Sequence, residues 1–404
     1  GGDHRFATRV MGAPGPDGGG TADDEIWLVG GGDPLLGADE LMALCQQLRR
    51  QGVREVAGGL HYDDSLSAAR PQIRSDQPED VQYNPPVSAL SLDFNRARVE
   101  WRPGDRRDTV QAWSLPDVPA VDLGAAAPLQ VRPGQHWTRD GGGWRLGPDA
   151  PRAGAAWLPL PRPAQAAAQL FRQLCGRVGV RLPQPTPGTA PPDAEVLAAQ
   201  SSPPLTRVVQ QMLEYSNNLV AELVGLAAGR RLTGEPLTLE ESSRLLGDWL
   251  GATVPGADWS SFAPGNHSGL NAQAQATPAQ LAALLRYAAG RGYGADRRSL
   301  LSLLPAAGWQ GAFGGRLRLP DTAFDVWAKT GTMHFASGIA GYLLGPDGVT
   351  RSFAIFVNDR ALRRRYDADP TPRDGDWRSR IYPWRSRAKA LEEDLLKLWA
   401  RQQG

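Results

Sequence analysis

Lys329 lies in the run Trp327-Ala328-Lys329-Thr330-Gly331-Thr332 and is one of only three lysines in 404 residues, the others being Lys389 and Lys397. A chain that uses arginine almost everywhere else keeps a lysine where a compact ammonium on a flexible stem does what a planar guanidinium cannot. Upstream, Ser216-Asn217-Asn218 interrupts a helical spacing of apolar residues that runs through Leu205, Val208, Val209, Met212 and Leu213, then Leu219 and Leu223. Three short polar side chains compete with the backbone for hydrogen bonds, so their place in a helical pattern costs stability and calls for a use. A hydroxyl both donates and accepts, and an ammonium favours an anion, so these residue types suit proton shuttling and anion binding. The bland readings are a surface lysine on a strand and a solvent-facing turn between two helices.

A Ser-x-Asn followed more than a hundred residues later by Lys-Thr-Gly resembles the second and third motifs of the penicillin-binding, active-site-serine peptidases. The segments VGGGDPLL (29–36), NPPVSALSLDFN (84–95), SGLN (268–271) and LPAAGWQGAF (304–313) resemble, in the same order, parts of one branch of these enzymes. That branch is the D-alanyl-D-alanine carboxypeptidases and endopeptidases with large inserted domains, the type-4 low-molecular-mass penicillin-binding proteins. The resemblance covers nearly the whole chain. It implies an α/β (α+β) fold: a penicillin-binding-protein/β-lactamase-like catalytic domain with nested β-rich and β-α-β insertions. The expected division is a β-rich domain from 1–24 with 98–198, a nested β-α-β domain over 25–97, and the catalytic domain over 199–404.

The family's nucleophile belongs to a Ser-x-x-Lys that precedes a segment similar to Gly2-Asp3-His4-Arg5-Phe6-Ala7-Thr8, so it is expected ahead of residue 1. The chain's own Ser-x-x-Lys, Ser386 to Lys389, follows the Lys-Thr-Gly and reads as a coincidental surface pattern in an amphipathic helix. By resemblance, Ser216 shuttles a proton to the leaving amine, and Asn218 holds the first-motif lysine and the substrate backbone. Lys329 supplies positive charge toward the terminal carboxylate, and the Thr330 hydroxyl hydrogen-bonds it. Gly331 leaves room for an extended peptide, and the backbone N–H of Thr332 serves the oxyanion hole. Asp93 matches an acid that in some relatives recognises a diamino-acid side chain, with a turn aspartate as the bland alternative. Ala272 stands where many relatives carry arginine, and Met333 and His334 are expected to shape the same pocket. The implied partners are peptidoglycan stem peptides, with β-lactams as covalent inhibitors of the protein that has its nucleophile. The rival reading is a non-catalytic peptidoglycan-binding or scaffold protein, and a chain without the first motif is expected to be inactive.

No cofactor or metal is implied, since the five histidines include no His-x-x-x-His pair, and no Gly-x-Ser-x-Gly elbow occurs. A net charge of +1 argues against nucleic acid or a polyanionic surface as partner, and the charges read as free of any basic tract. No apolar run of membrane-spanning length exists, and an extracytoplasmic location follows only from the family's substrate. Cys45 and Cys175 sit among helical apolar residues and read as buried free thiols.

Several elements are legible. A Gly-rich turn region is expected over Met11–Asp24, then a strand at Ile26–Val29, a helix from Asp39 to Arg50 stopped by Gly52, and a strand over Val53–Tyr62. Ala89–Trp157 reads as β-rich, with alternation from Arg96 to Trp101, and Pro183–Pro204 reads as a linker. Thr277-Pro278 opens a helix that runs to Gly290, and a buried strand at Phe353–Val357 follows the Gly345–Gly348 turn.

Overall fold

A computed structural model describes residues 1–12, 25–105, 110–125, 136–140, 143–147, 150–309, 311–318, 323–369 and 376–401. From residue 13 onward, the Gly-rich region expected at 11–24 lies outside the described residues. The chain forms two compact units, one of residues 5–203 with 218–242, the other of residues 1–4, 204–217 and 243–404.

The first unit opens with β1 (Ala7–Gly12), β2 (Glu25–Val29), α1 (Ala38–Arg50) and β3 (Gly59–Asp63). β2 and β3 pair in parallel across α1, the expected β-α-β unit. Gly52 ends the helical segment at φ +94°, a conformation that only glycine adopts without strain. The second strand is shorter than expected. Residues 53–58 hold a single bridge from Glu55 to Arg181 before the ladder begins at Gly59.

β4 (Arg96–Pro103), β5 (Val110–Leu115), β6 (Leu123–Ala125), β7 (Trp137–Asp140), β8 (Gly143–Leu146) and β9 (Gly154–Pro159) build two three-stranded sheets. Alternation in β4 buries Ala97, Val99 and Trp101 on one face, as a period of two requires. α2 (Pro163–Arg177) follows, then β10 (Pro185–Pro187) and β11 (Glu195–Ser201). The expected linker at Pro183–Pro204 is therefore corrected. Its residues supply both edges of a five-stranded mixed sheet, β10-β3-β2-β1-β11. Proline is tolerated there because an edge strand need not donate to a ladder on both sides.

The cysteine reading is also corrected. Cys45 in α1 and Cys175 in α2 face each other in the core with Cα atoms 4.8 Å apart and are joined in a disulfide. Their sequence separation of 130 gave no spacing signal, and only the packing of the two helices brings the sulfurs within bonding range.

α3 (Leu205–Tyr215) belongs to the other unit and α4 (Asn218–Thr233) to the one just described, while α5 (Leu239–Thr253) contributes residues to both. The second unit continues with α6 (Pro278–Ala289), β12 (Val326–Met333), β13 (Ala336–Leu344), β14 (Thr350–Asn358), α7 (Arg360–Asp367) and α8 (Asp376–Arg401). Thr277 caps α6 as expected: its hydroxyl accepts from the Gln280 N–H, and the Gln280 side chain accepts from the Thr277 N–H at 2.8 Å. Such a box contributes about 1 kcal/mol.

The antiparallel sheet β12-β13-β14 has two covered faces. Val326, Ala328, Ile339, Phe353 and Ile355 form one core with Leu396 of α8, while Trp327, Ala340 and Tyr342 meet Leu285 of α6 and Leu213 of α3. The Tyr342 hydroxyl, donating to the Leu285 carbonyl at 2.7 Å, fixes α6 on that second face.

Candidate active site

Alternation along β12 puts Lys329 on the same face as Trp327, the face that α3 covers. Ala340 lies opposite Lys329, and Gly338 lies opposite Gly331, so the neighbouring strand offers little bulk against the lysine. The Lys329 Nζ donates to the Ser216 Oγ at 2.7 Å and also to the Thr330 carbonyl oxygen. Burial of the ammonium lowers its pKa to about 8.

Ser216 stands where α3 ends, at φ 54° and ψ 46°, its N–H bonded to the Met212 carbonyl. This left-handed position is usually given to glycine, and a serine there costs roughly 1–2 kcal/mol. No sequence pattern signalled it. The helix end is buttressed by Gly311, at φ +67°, where a side chain would come within 2.5 Å of the Glu214 carbonyl oxygen.

β12 is an edge strand, and its outer edge is only half covered. The Ala307 N–H donates to the Val326 carbonyl at 2.8 Å, and the Ala328 N–H donates to the Pro305 carbonyl at 3.1 Å. The segment 304–313 that carried part of the resemblance thus closes the edge as far as Ala328. The register with β13 runs unbroken from Val326 to Met333, so outward-pointing backbone groups recur every second residue. Thr330 and Thr332 therefore direct their N–H and C=O groups to the outer edge, which no described backbone covers beyond Ala328. Gly331 is exposed, and nothing lies within 4 Å of where a side chain would sit. The outer edge thus carries the N–H groups of Thr330 and Thr332, with the Lys329 ammonium one residue before the first of them.

His334 and Phe335 form the turn between β12 and β13. Phe335 is buried at φ 59° among Tyr366, Trp377 and Trp384. The His334 ring stands edge-on to Tyr366, with centroids 4.8 Å apart. Burial first, then the Arg385 and Arg363 guanidinium groups, push its pKa down to about 4, so it is neutral at physiological pH. Arg363 donates to the His334 carbonyl, and Asp359 donates its N–H to the Phe335 carbonyl at 2.9 Å. The arrangement points His334 into the α7–α8 aromatic cluster and leaves Met333 at the end of the open edge. The exposed Ser386 lies on α8.

Asn218 and Asp93 lie in the other unit. Asn218 opens α4, and its side chain donates to the Tyr83 carbonyl at 2.9 Å. α4 packs against the turn Asp93–Asn95, in which three successive residues have positive φ. Buried Asn95 holds this turn by accepting from the Leu92 N–H and donating to the Pro86 carbonyl, both at 2.9 Å. Burial, then the nearby Glu40, raise the Asp93 pKa, with Arg96 opposing them. Ala272 follows a loop held by Asn266, which accepts from the Gly269 N–H at 3.1 Å. Among the described residues, no group of three His, Cys, Asp or Glu side chains is placed to hold a metal ion.

Among curated proteins, the chain is 30% identical over 393 residues to a D-alanyl-D-alanine carboxypeptidase of an Actinomadura species, covering 89% of this chain and 70% of that one. It is 26% identical to a carboxypeptidase of Mycobacterium tuberculosis, over 90% of this chain and 68% of that one. Penicillin-binding protein 4 of Haemophilus influenzae superposes with a TM-score of 0.76 at 19% identity, over 98% of this chain and 87% of that one. A complex of that protein with a β-lactam gives a TM-score of 0.69 at 20% identity, over 89% of this chain and 80% of that one. The fold is thus the penicillin-binding-protein/β-lactamase-like α/β fold, with a mixed sheet and additional β-sheets. The family model for D-Ala-D-Ala carboxypeptidase 3 (S13) matches residues 1–370, and the chain belongs to that family.

Proposed function

We propose that this chain carries the carboxylate-binding and leaving-group side of a serine-type D-alanyl-D-alanine carboxypeptidase, with DD-endopeptidase activity on cross-linked stem peptides. The observation that carries the reading is the 2.7 Å contact of Lys329 Nζ with Ser216 Oγ beside the uncovered edge of β12. The substrate peptide adds as a strand to that edge. Its scissile carbonyl oxygen accepts from the Thr332 N–H, and its terminal carboxylate meets the Lys329 ammonium and the Thr330 hydroxyl. The serine of the family's Ser-x-x-Lys attacks that carbonyl and forms an acyl-enzyme. The lysine of that Ser-x-x-Lys takes the attacking serine's proton and relays it to the Ser216 Oγ as Ser216, held by a hydrogen bond from Lys329, passes its own proton to the departing D-alanine nitrogen. Asn218 is proposed for the substrate backbone and Asp93 for a diamino-acid side-chain amine. Met333 is proposed to border the same pocket, while His334 positions the turn. β-Lactams acylate the same nucleophile. The Cys45–Cys175 disulfide supports an oxidising, extracytoplasmic location.

Fluorescent penicillin tests the reading. The protein with its Ser-x-x-Lys segment is expected to label covalently, and Ser216→Ala or Lys329→Ala to slow labelling at least tenfold. Residues 1–404 alone are expected to give no adduct that survives denaturation. Labelling of that shorter chain at Ser386, or unchanged rates in both variants, overturns the reading.

A further inference from the structure

The chain's net charge of +1 hides a local excess. Between Asp359 and Ala390 lie nine arginines and one lysine against five aspartates and no glutamate, a net charge of +5. Three of those aspartates are engaged within the segment: Asp359 caps α7, Asp367 pairs with Arg363 at 2.9 Å, and Asp369 accepts from the Trp377 indole at 2.6 Å. Arg360, Arg364 and Arg365 of α7 and Arg378, Arg380 and Arg387 of α8 are exposed. The two helices are packed together through Tyr366 and Trp377, whose rings lie 5.5 Å apart.

α8 adds apolar surface to this charge. Arg380, Arg387, Leu391 and Leu398 fall within one narrow stripe of the helix, at spacings of seven, eleven and eighteen residues, and all are exposed. Leu391 and Leu398 are each 48% exposed. The acid on that stripe, Asp394, has Lys397 3.7 Å away. No helix of the described residues is long and apolar enough to cross a membrane.

We propose that the outer faces of α7 and α8 form a docking surface for an anionic phospholipid bilayer, with arginines on the headgroups and Leu391 and Leu398 entering the interface. Charge complementarity selects an anionic partner, and the exposed leucines select a bilayer over a soluble polyanion, which offers them nothing apolar. Burying leucines in that stripe returns area that water otherwise solvates unfavourably. Averaging the charge over the whole chain conceals this face, and for it the proposal departs from the expectation of no polyanionic surface. The proposal is independent of the acyl-transfer reading.

Co-sedimentation with vesicles tests it. The chain is expected to bind phosphatidylglycerol/phosphatidylcholine vesicles at low salt, to be released at high salt, and to ignore pure phosphatidylcholine. The triple variant Arg364→Glu/Arg365→Glu/Arg387→Glu should lower the apparent affinity at least about a hundredfold, since each surface arginine contributes severalfold to anionic-lipid binding. Leu391→Ser/Leu398→Ser, with an unchanged melting profile, should lower it severalfold. Equal binding to both vesicle types, or a charge variant that binds like wild type, overturns the proposal. So does an unaffected leucine variant together with full competition by dextran sulfate, which would assign the face to soluble polyanions.

Discussion

Lys329 keeps its charge against the preference of its surroundings. Burial lowers its pKa from 10.5 to about 8, so the ammonium dominates below pH 8 and is lost as pH rises through that value. If carboxylate binding uses the charged form, kcat/KM for D-Ala-D-Ala peptides should fall above pH 8 in the protein that has its nucleophile. In Lys329→Arg that alkaline limb should vanish, because guanidinium stays charged past pH 12, while the rate drops at every pH because the wider planar group cannot repeat the contact to Ser216. Lys389→Arg should be silent. An alkaline limb that persists in the arginine variant would assign it to another group. Ser216 offers a separate test, since its left-handed backbone opposes its side chain. Ser216→Gly should raise stability by about 1 kcal/mol in urea denaturation while lowering acylation, whereas Ser216→Ala should lower both. A glycine variant no more stable than wild type would show that Ser216 carries no strain. The sequence revealed both side chains by type and rarity, but no local pattern encodes a positive φ at a serine.

At the scale of elements, β12 presents an open strand edge, and the outward direction of Thr332 is the consequential part. Its N–H lies off the β13 ladder, so Thr332→Pro removes a donor from the substrate edge while leaving the ladder intact. Acylation should fall by about 10²–10³, the usual effect of losing one oxyanion donor, with little change in the far-ultraviolet spectrum. A variant that acylates at the wild-type rate would remove Thr332 from the oxyanion hole. The Lys-Thr-Gly was legible through the rarity of lysine in the chain and its resemblance to a family motif. The half-closed outer edge was not, because it depends on Pro305 and Ala307 reaching β12 from a segment with no periodicity of its own. α6 was legible to the residue, through the Thr277-Pro278 cap and the glycine at its end. β10 was missed for the opposite reason: proline-rich sequence reads as linker until a neighbouring strand accepts it as an edge.

At the scale of the whole molecule, each unit has its own apolar core, but the only disulfide among the described residues lies in one of them. The cysteines looked like unrelated buried thiols because α1 and α2 are separated in sequence by the β-rich segment. The same separation makes the bond consequential. A link across 130 residues removes a large loop-closure entropy from the unfolded chain, on the order of 4–5 kcal/mol in the chain-entropy account. The effect should fall on the unit that holds α1, α2 and the five-stranded sheet. Under differential scanning calorimetry, Cys45→Ala/Cys175→Ala should lower the transition of that unit markedly and leave the transition of the β12–β14 unit where it was. The double variant also avoids the free thiol that either single replacement would leave in the core. A single transition that moves as a whole would mean that the two units unfold as one cooperative body. An unmoved transition would mean that the packing of α1 on α2, through Leu41, Leu44, Leu48, Phe171 and Leu174, restrains the chain as well without the bond.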